Sequence, residues 1–162
     1  PPIATSAIAS VSAALQLLDP LVGLIFSGVL DRHPGLRLVL AESGIGWLPY
    51  VIEEMDDKFE QFAEAREVWE GRGGIPLQLR PSEYFRRQVW ATFQKDAAGL
   101  ALLEAIGEDR VMGASDYPHP DSTWPHSREV IARQMGHLPA ATVRKVTCDN
   151  ARALYHLSTE SS

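Results

Sequence analysis

Three short apolar runs, each separated from the next by a helix-length stretch, constrain the fold of this chain more than any other feature. Leu36–Ala41, Gln88–Gln94 and Arg110–Ala114 have the largely apolar, β-branched or aromatic character of strands buried on both faces. Around them apolar residues recur at helical spacing. Ile8, Val11, Leu15 and Leu18 form one such stripe. Leu48, Val51, Ile52, Met55, Phe59 and Phe62 form a second, opposite a Glu53, Glu54, Asp56 and Asp57 face that reads as solvated. The resulting order is helix, strand, helix, strand, helix, strand, helix. It implies an α/β fold with parallel strands joined by right-handed crossovers. Three parallel strands leave two open edges, so the chain reads as part of a larger sheet or barrel.

Asp19-Pro20 restarts a helix at its first turn. The helix from Leu21 to about Leu30 is apolar nearly all round, so both flanking helices are expected to be buried. Asp19 near the middle of Ala7 to Leu30 also argues against a membrane span there. Gly71-Arg72-Gly73-Gly74 breaks the chain and Ile75 to Pro81 reads as a loop. Ser82 to Arg87 reads as a short helix capped by Ser82, or as a turn. Asp96 is placed to cap a helix from Ala97 to Ile106 that Gly107 closes. Ser127 to Met135 is helical, and Pro139 opens a last helix bearing Val143, Val146, Leu154 and Leu157. Residues 1–157 are expected to form the barrel portion and 158–162 a polar tail.

At 162 residues and 45% hydrophobic, the chain can bury a core. A net charge of −6, with no basic cluster longer than Arg86-Arg87, argues against a nucleic-acid or anionic-membrane partner. The one cysteine, Cys148, excludes an internal disulfide and points to a reducing compartment, the cytoplasm, with the thiol buried and inert. Pro1-Pro2-Ile3 does not read as a translation start, so an upstream part is expected.

Most sequence signatures of chemistry fail here. Gly44-Ile45-Gly46 follows a strand, but Pro49 occupies the third glycine position of a dinucleotide fingerprint. Ser43 lacks the flanking glycine of a nucleophile elbow, and no H-x-H, H-E-x-x-H or cysteine pair is present. What remains is a row of polar groups after the strands: Glu42 after the first, Gln94 after the second, Asp116 and His119 after the third. Parallel strands bring such residues to one rim, where α/β proteins bind ligands. Asp116 could be a single metal ligand or a base. Glu42 could be a second base, a ligand or a substrate contact, or simply a cap of the Gly44–Trp47 turn at a helix N-terminus. His119, between two prolines, could orient Asp116 or touch substrate, and Trp47 and Trp124 could wall an aromatic pocket.

Four segments together carry a likeness. They are Asp31-Arg32-His33-Pro34-Gly35-Leu36-Arg37-Leu38-Val39-Leu40-Ala41-Glu42-Ser43-Gly44 with Trp47-Leu48-Pro49, then Tyr84-Phe85-Arg86-Arg87-Gln88, Gly113-Ala114-Ser115-Asp116-Tyr117-Pro118-His119, and Asp149-Asn150-Ala151-Arg152-Ala153-Leu154-Tyr155. In this order the chain resembles the C-terminal half of the amidohydrolase-2 branch of the amidohydrolase superfamily. The resemblance implies a (β/α)8 barrel whose sixth, seventh and eighth strands are the three found here. It makes Asp116 the last-strand aspartate that binds a divalent metal, zinc first and manganese second, and helps activate its water. Glu42 falls where the family's decarboxylases carry an acid/base histidine and many relatives carry glutamate. The substrate would be a small carboxylated or aromatic molecule positioned by Glu42, Gln94, Trp47, Trp124 and His119. The resemblance implies a metal-dependent hydrolase, with a decarboxylase of the same family as the alternative; the open strand edges leave an inactive half-barrel interaction module as a further alternative. The family's H-x-H pair and further metal histidine would lie upstream of Pro1. The isolated chain is therefore expected to be inactive, its partner being a missing N-terminal half or a second copy.

Overall fold

The computed structural model describes residues 3–64 and 77–158; the glycine-rich break at 71–74, the start of the loop at 75–76 and residues 159–162 of the tail lie outside them. The chain runs α1 (Ile3–Ala13), a 3-10 turn (Ala14–Leu17), α2 (Leu18–Phe26), α3 (Val29–Arg32), β1 (Leu38–Leu40) and α4 (Leu48–Glu64). It continues through α5 (Pro81–Gln88), β2 (Val89–Phe93), α6 (Ala97–Ala101), α7 (Leu103–Ile106) and β3 (Val111–Gly113). It ends with α8 (Ser127–Met135), α9 (Ala140–Arg144), a π turn (Lys145–Asp149) and α10 (Asn150–Tyr155). The strands form one sheet in the order β1-β2-β3, and β2 runs parallel to β3 with Ala91 opposite Val111 and Phe93 opposite Gly113. The alternating helices and strands expected from the sequence are all present. Contacts divide the chain into two compact units, residues 1–39 with 47–89 and residues 40–46 with 90–162.

The first unit is cored by Leu21, Ile25, Leu30, Leu48, Met55, Tyr84 and Phe85. Two of the family-like segments prove to be bonded to each other. The Tyr84 hydroxyl donates to Asp31 Oδ1 at 2.6 Å and accepts from the Gln78 and Leu79 N–H groups. Arg87 lies over the Tyr84 ring and donates to the Leu30 carbonyl, while the Gln88 amide donates to the His33 and Leu36 carbonyls. A buried polar cluster survives only when its donors and acceptors are matched, and this one is. Burial pushes the Tyr84 phenol above its ordinary value, and its bond to Asp31 adds to that rise, against the two backbone donors that lower it.

Three local expectations are corrected. Ser82 is not the helix cap: Arg80 precedes the helix with Pro81 at its first position, and Glu83 reaches back to the Arg80 N–H at 2.9 Å. The Ser82 N–H donates instead to Asp56 Oδ1, so one member of the acidic face of α4 caps α5 rather than facing only solvent. The first helix is not buried: Ile8 is 68% and Val11 79% exposed, because spacing reports an apolar face but not what covers it. Among the described residues no single helix is long and apolar enough to cross a membrane; Ile3–Ala13 and Leu15–Phe26, bent by 41°, pass that test only as a pair.

In the second unit Phe93, Val111, Met112, Ile106, Met135 and Val146 form the core. The last helix is continuous from Ala140 to Tyr155 through its π turn, and Leu157 falls beyond its end. Asn150 locks that helix onto the strand, donating to the Glu108 and Val111 carbonyls at 2.7 and 2.8 Å. Beside it Asp109 and Glu108 hold the Lys145 ammonium above its usual range, at 2.8 and 2.6 Å.

Candidate functional site

The three strand-end positions all belong to the second unit. Glu42 follows β1, Gln94 follows β2, and Asp116 follows β3 after Ala114, whose N–H bonds the Phe93 carbonyl at 2.9 Å. Two of the three have an unusual backbone. Glu42 sits at φ 58° and Asp116 at φ 60°, the left-handed region. An L-residue costs roughly 1–2 kcal/mol there, and strain of this kind concentrates at functional sites.

Glu42 is held by its backbone, with its N–H donating to the Thr92 hydroxyl at 2.9 Å and its side chain exposed. It does not cap the turn that follows. Asp96 does so, accepting from the Ile45 and Gly46 N–H groups at 2.6 and 2.7 Å while also capping α6 through the Gly99 N–H at 2.8 Å. This close approach requires glycine: a Cβ on Gly46 would lie 2.9 Å from Asp96 Oδ1, and one on Gly99 would overlap the Ile45 side chain. Gln134 completes the clamp, accepting from the Asp96 N–H at 2.9 Å and donating to the Gln94 carbonyl at 3.0 Å. Thr92 thus holds Glu42, and Asp96 holds the turn after it, roles with no local sequence signal because the partners lie some 50 residues away.

Asp116 opens a compact loop. Its carbonyl accepts from the His119 N–H at 2.8 Å, and its Oδ2 lies 3.2 Å from His119 Nδ1. The carboxylate is 13% exposed whereas the histidine ring is 66% exposed, so His119 holds Asp116 from the solvent side. The Ser115 carbonyl closes the loop by accepting from the Ser122 hydroxyl and the Thr123 N–H. Trp124 is exposed and meets the Tyr117 ring edge-on at 4.9 Å. Trp47 is half-buried in the first unit, and Gln94 lines a cavity of about 260 Å³ together with Ser115. Asp116 and His119 are therefore paired. Among the described residues no three His, Cys, Asp or Glu side chains gather as a metal site.

The strain at Glu42 makes a direct prediction. Glu42→Gly removes the left-handed penalty and should raise the unfolding free energy by about 1 kcal/mol, read as a higher denaturation midpoint at unchanged m-value. A lowered midpoint would show that the carboxylate itself stabilises the turn.

The chain is similar to solved decarboxylases. It matches 5-carboxyvanillate decarboxylase from Sphingomonas paucimobilis at 27% identity and TM-score 0.66, over 85% of this chain and 38% of that one. It matches the corresponding enzyme from Novosphingobium aromaticivorans, complexed with manganese and 4-hydroxy-3-methoxy-5-nitrobenzoic acid, at 25% identity and TM-score 0.66 over 91% and 40% of the two chains. These neighbours are (β/α)8 barrels, and the chain corresponds to a portion of one. Among curated proteins, γ-resorcylate decarboxylase from Rhodococcus jostii (strain RHA1) is 30% identical over 99 residues, which are 59% of this chain and 27% of that protein. Residues 15–157 match the family described as amidohydrolase, and the chain belongs to it.

Proposed function

We propose that this chain is part of a manganese-dependent decarboxylase acting on a hydroxylated aromatic acid of the γ-resorcylate type. Of the two reactions open at the level of sequence, the relatives favour decarboxylation over hydrolysis, and the metal named with the neighbour is manganese rather than zinc. The observation that carries the reading is the pair of strained strand-end carboxylates, Glu42 and Asp116, in a chain with such relatives.

Losing CO2 from an aromatic carboxylate leaves an electron pair on the ring carbon, which must be met by a proton. The reaction is ArCO2⁻ + H⁺ → ArH + CO2, and it needs a residue that holds a proton over that carbon. In this reading Glu42 is that acid/base group, taking the place of the family's histidine. His119 holds Asp116, while Gln94 and Trp124 contact the substrate. A divalent ion would anchor the acid's oxygens and withdraw charge from them. The described residues do not fit such an ion by themselves, since manganese favours a six-coordinate, oxygen-rich shell and Asp116 has only His119 beside it. Asp116 is assigned as one ligand, with the others supplied by chain beyond these residues or by a second copy. Residues 1–157 alone are accordingly inactive in this reading, and a reducing compartment, the cytoplasm, is the proposed location, supported by the single cysteine of this chain.

In a complete barrel that includes this chain, CO2 release from γ-resorcylate should fall to background on chelation and return with manganese. Release that persists in chelator would contradict the reading.

A further inference from the structure

We infer that the cavity between α8 and the carboxyl ends of β2 and β3 is a binding site for an uncharged phenol, the class of molecule that decarboxylation leaves behind. The choice of a phenol rests on the proposed function; the cavity and its neutrality do not. Its volume is about 260 Å³. An apolar cavity of roughly 150 Å³ takes benzene, so there is room here for a ring bearing one or two hydroxyl groups. Phe93, Val130 and Met135 supply an apolar wall. Hydroxyls face the remaining edge. The Ser115 hydroxyl accepts from the Tyr117 N–H at 3.4 Å, which leaves its own proton to donate. Thr123 and Ser127 share one hydrogen bond at 2.9 Å, which leaves one of their two protons to donate as well.

No charged side chain is among the residues lining the cavity. A carboxylate placed there would be desolvated without a cation, which is costly, whereas a phenol loses little. The site therefore selects the decarboxylated molecule over the acid. Asp116 is not part of its lining, whereas its neighbour Ser115 and the proposed substrate contact Gln94 are, so the cavity adjoins the candidate metal centre and does not contain it. Gly113 is part of the lining and has room for a side chain: a Cβ there would meet nothing closer than the Thr147 methyl and the Val146 carbonyl, both at 3.9 Å.

Titrating the purified chain with resorcinol and with γ-resorcylate, followed by NMR, tests this. Resorcinol should bind saturably, and the acid at least tenfold more weakly. Gly113→Val, which a strand accommodates and which projects methyl groups into the space, should weaken resorcinol binding at least tenfold. Should that variant not fold, Ile131→Phe fills the cavity from the helix side and carries the same expectation. Absence of saturation, equal binding of the acid, or full binding by a folded cavity-filling variant overturns the site. Because the readout is binding and not turnover, an active decarboxylase that takes no resorcinol here overturns this inference alone. A chain that takes resorcinol within an inactive barrel overturns only the proposed reaction.

Discussion

Asp96→Ala should destabilise the second unit by about 3 kcal/mol, a large effect for a residue outside the apolar core. The carboxylate accepts from the Ile45, Gly46 and Gly99 N–H groups at 2.6, 2.7 and 2.8 Å. Bonds to an ionised acceptor contribute roughly 1.5–3 kcal/mol each, and water recovers part of that at a half-buried position. Asp96→Asn keeps one acceptor oxygen and turns an amide N–H toward the other donors, so its cost should fall between wild type and alanine. Denaturant unfolding at constant m-value reads both. A change under about 0.5 kcal/mol for Asp96→Ala would mean that the turn after β1 holds its shape without this clamp. The same variant should impair any chemistry at Glu42, since the first clamped residue, Ile45, lies three positions beyond it.

Asp116→Asn should lower decarboxylation in the complete barrel by about 10²–10⁴-fold with little change in stability. Asparagine keeps the size of the side chain and tolerates the left-handed backbone at φ 60° better than most residues. What it removes is the negative charge proposed to ligate the metal. Manganese content should fall together with the rate. A variant that turns over normally with full metal content would move the metal ligand elsewhere and leave Asp116 as a loop residue.

The sequence carried the alternation of elements well because strands and amphipathic helices leave different periods. The strands came out shorter than their apolar runs; β1 is three residues long because Ala41 and Glu42 already belong to a turn. The role of Asp96 as a cap of its own helix was legible, but its hold on Ile45 and Gly46 was not, since no periodicity links residues so far apart. The same holds for Asp31 and Tyr84. Both stand in family-like segments, yet their joint work as a buried latch appears only once the first unit is folded. Nor could the left-handed backbone at Glu42 be foreseen, because nothing in local propensity puts a glutamate there. At the candidate site, the pairing of Asp116 with His119 follows from their spacing in one loop, whereas Trp47 and Trp124 fall in different units.

The fate of the carboxyl carbon tests the central claim most directly. A complete barrel containing this chain, supplied with manganese and with γ-resorcylate labelled at that carbon, should yield labelled CO2 and resorcinol in equal amounts. Unchanged label in the acid, while the same preparation hydrolyses an ester or amide, would contradict the account.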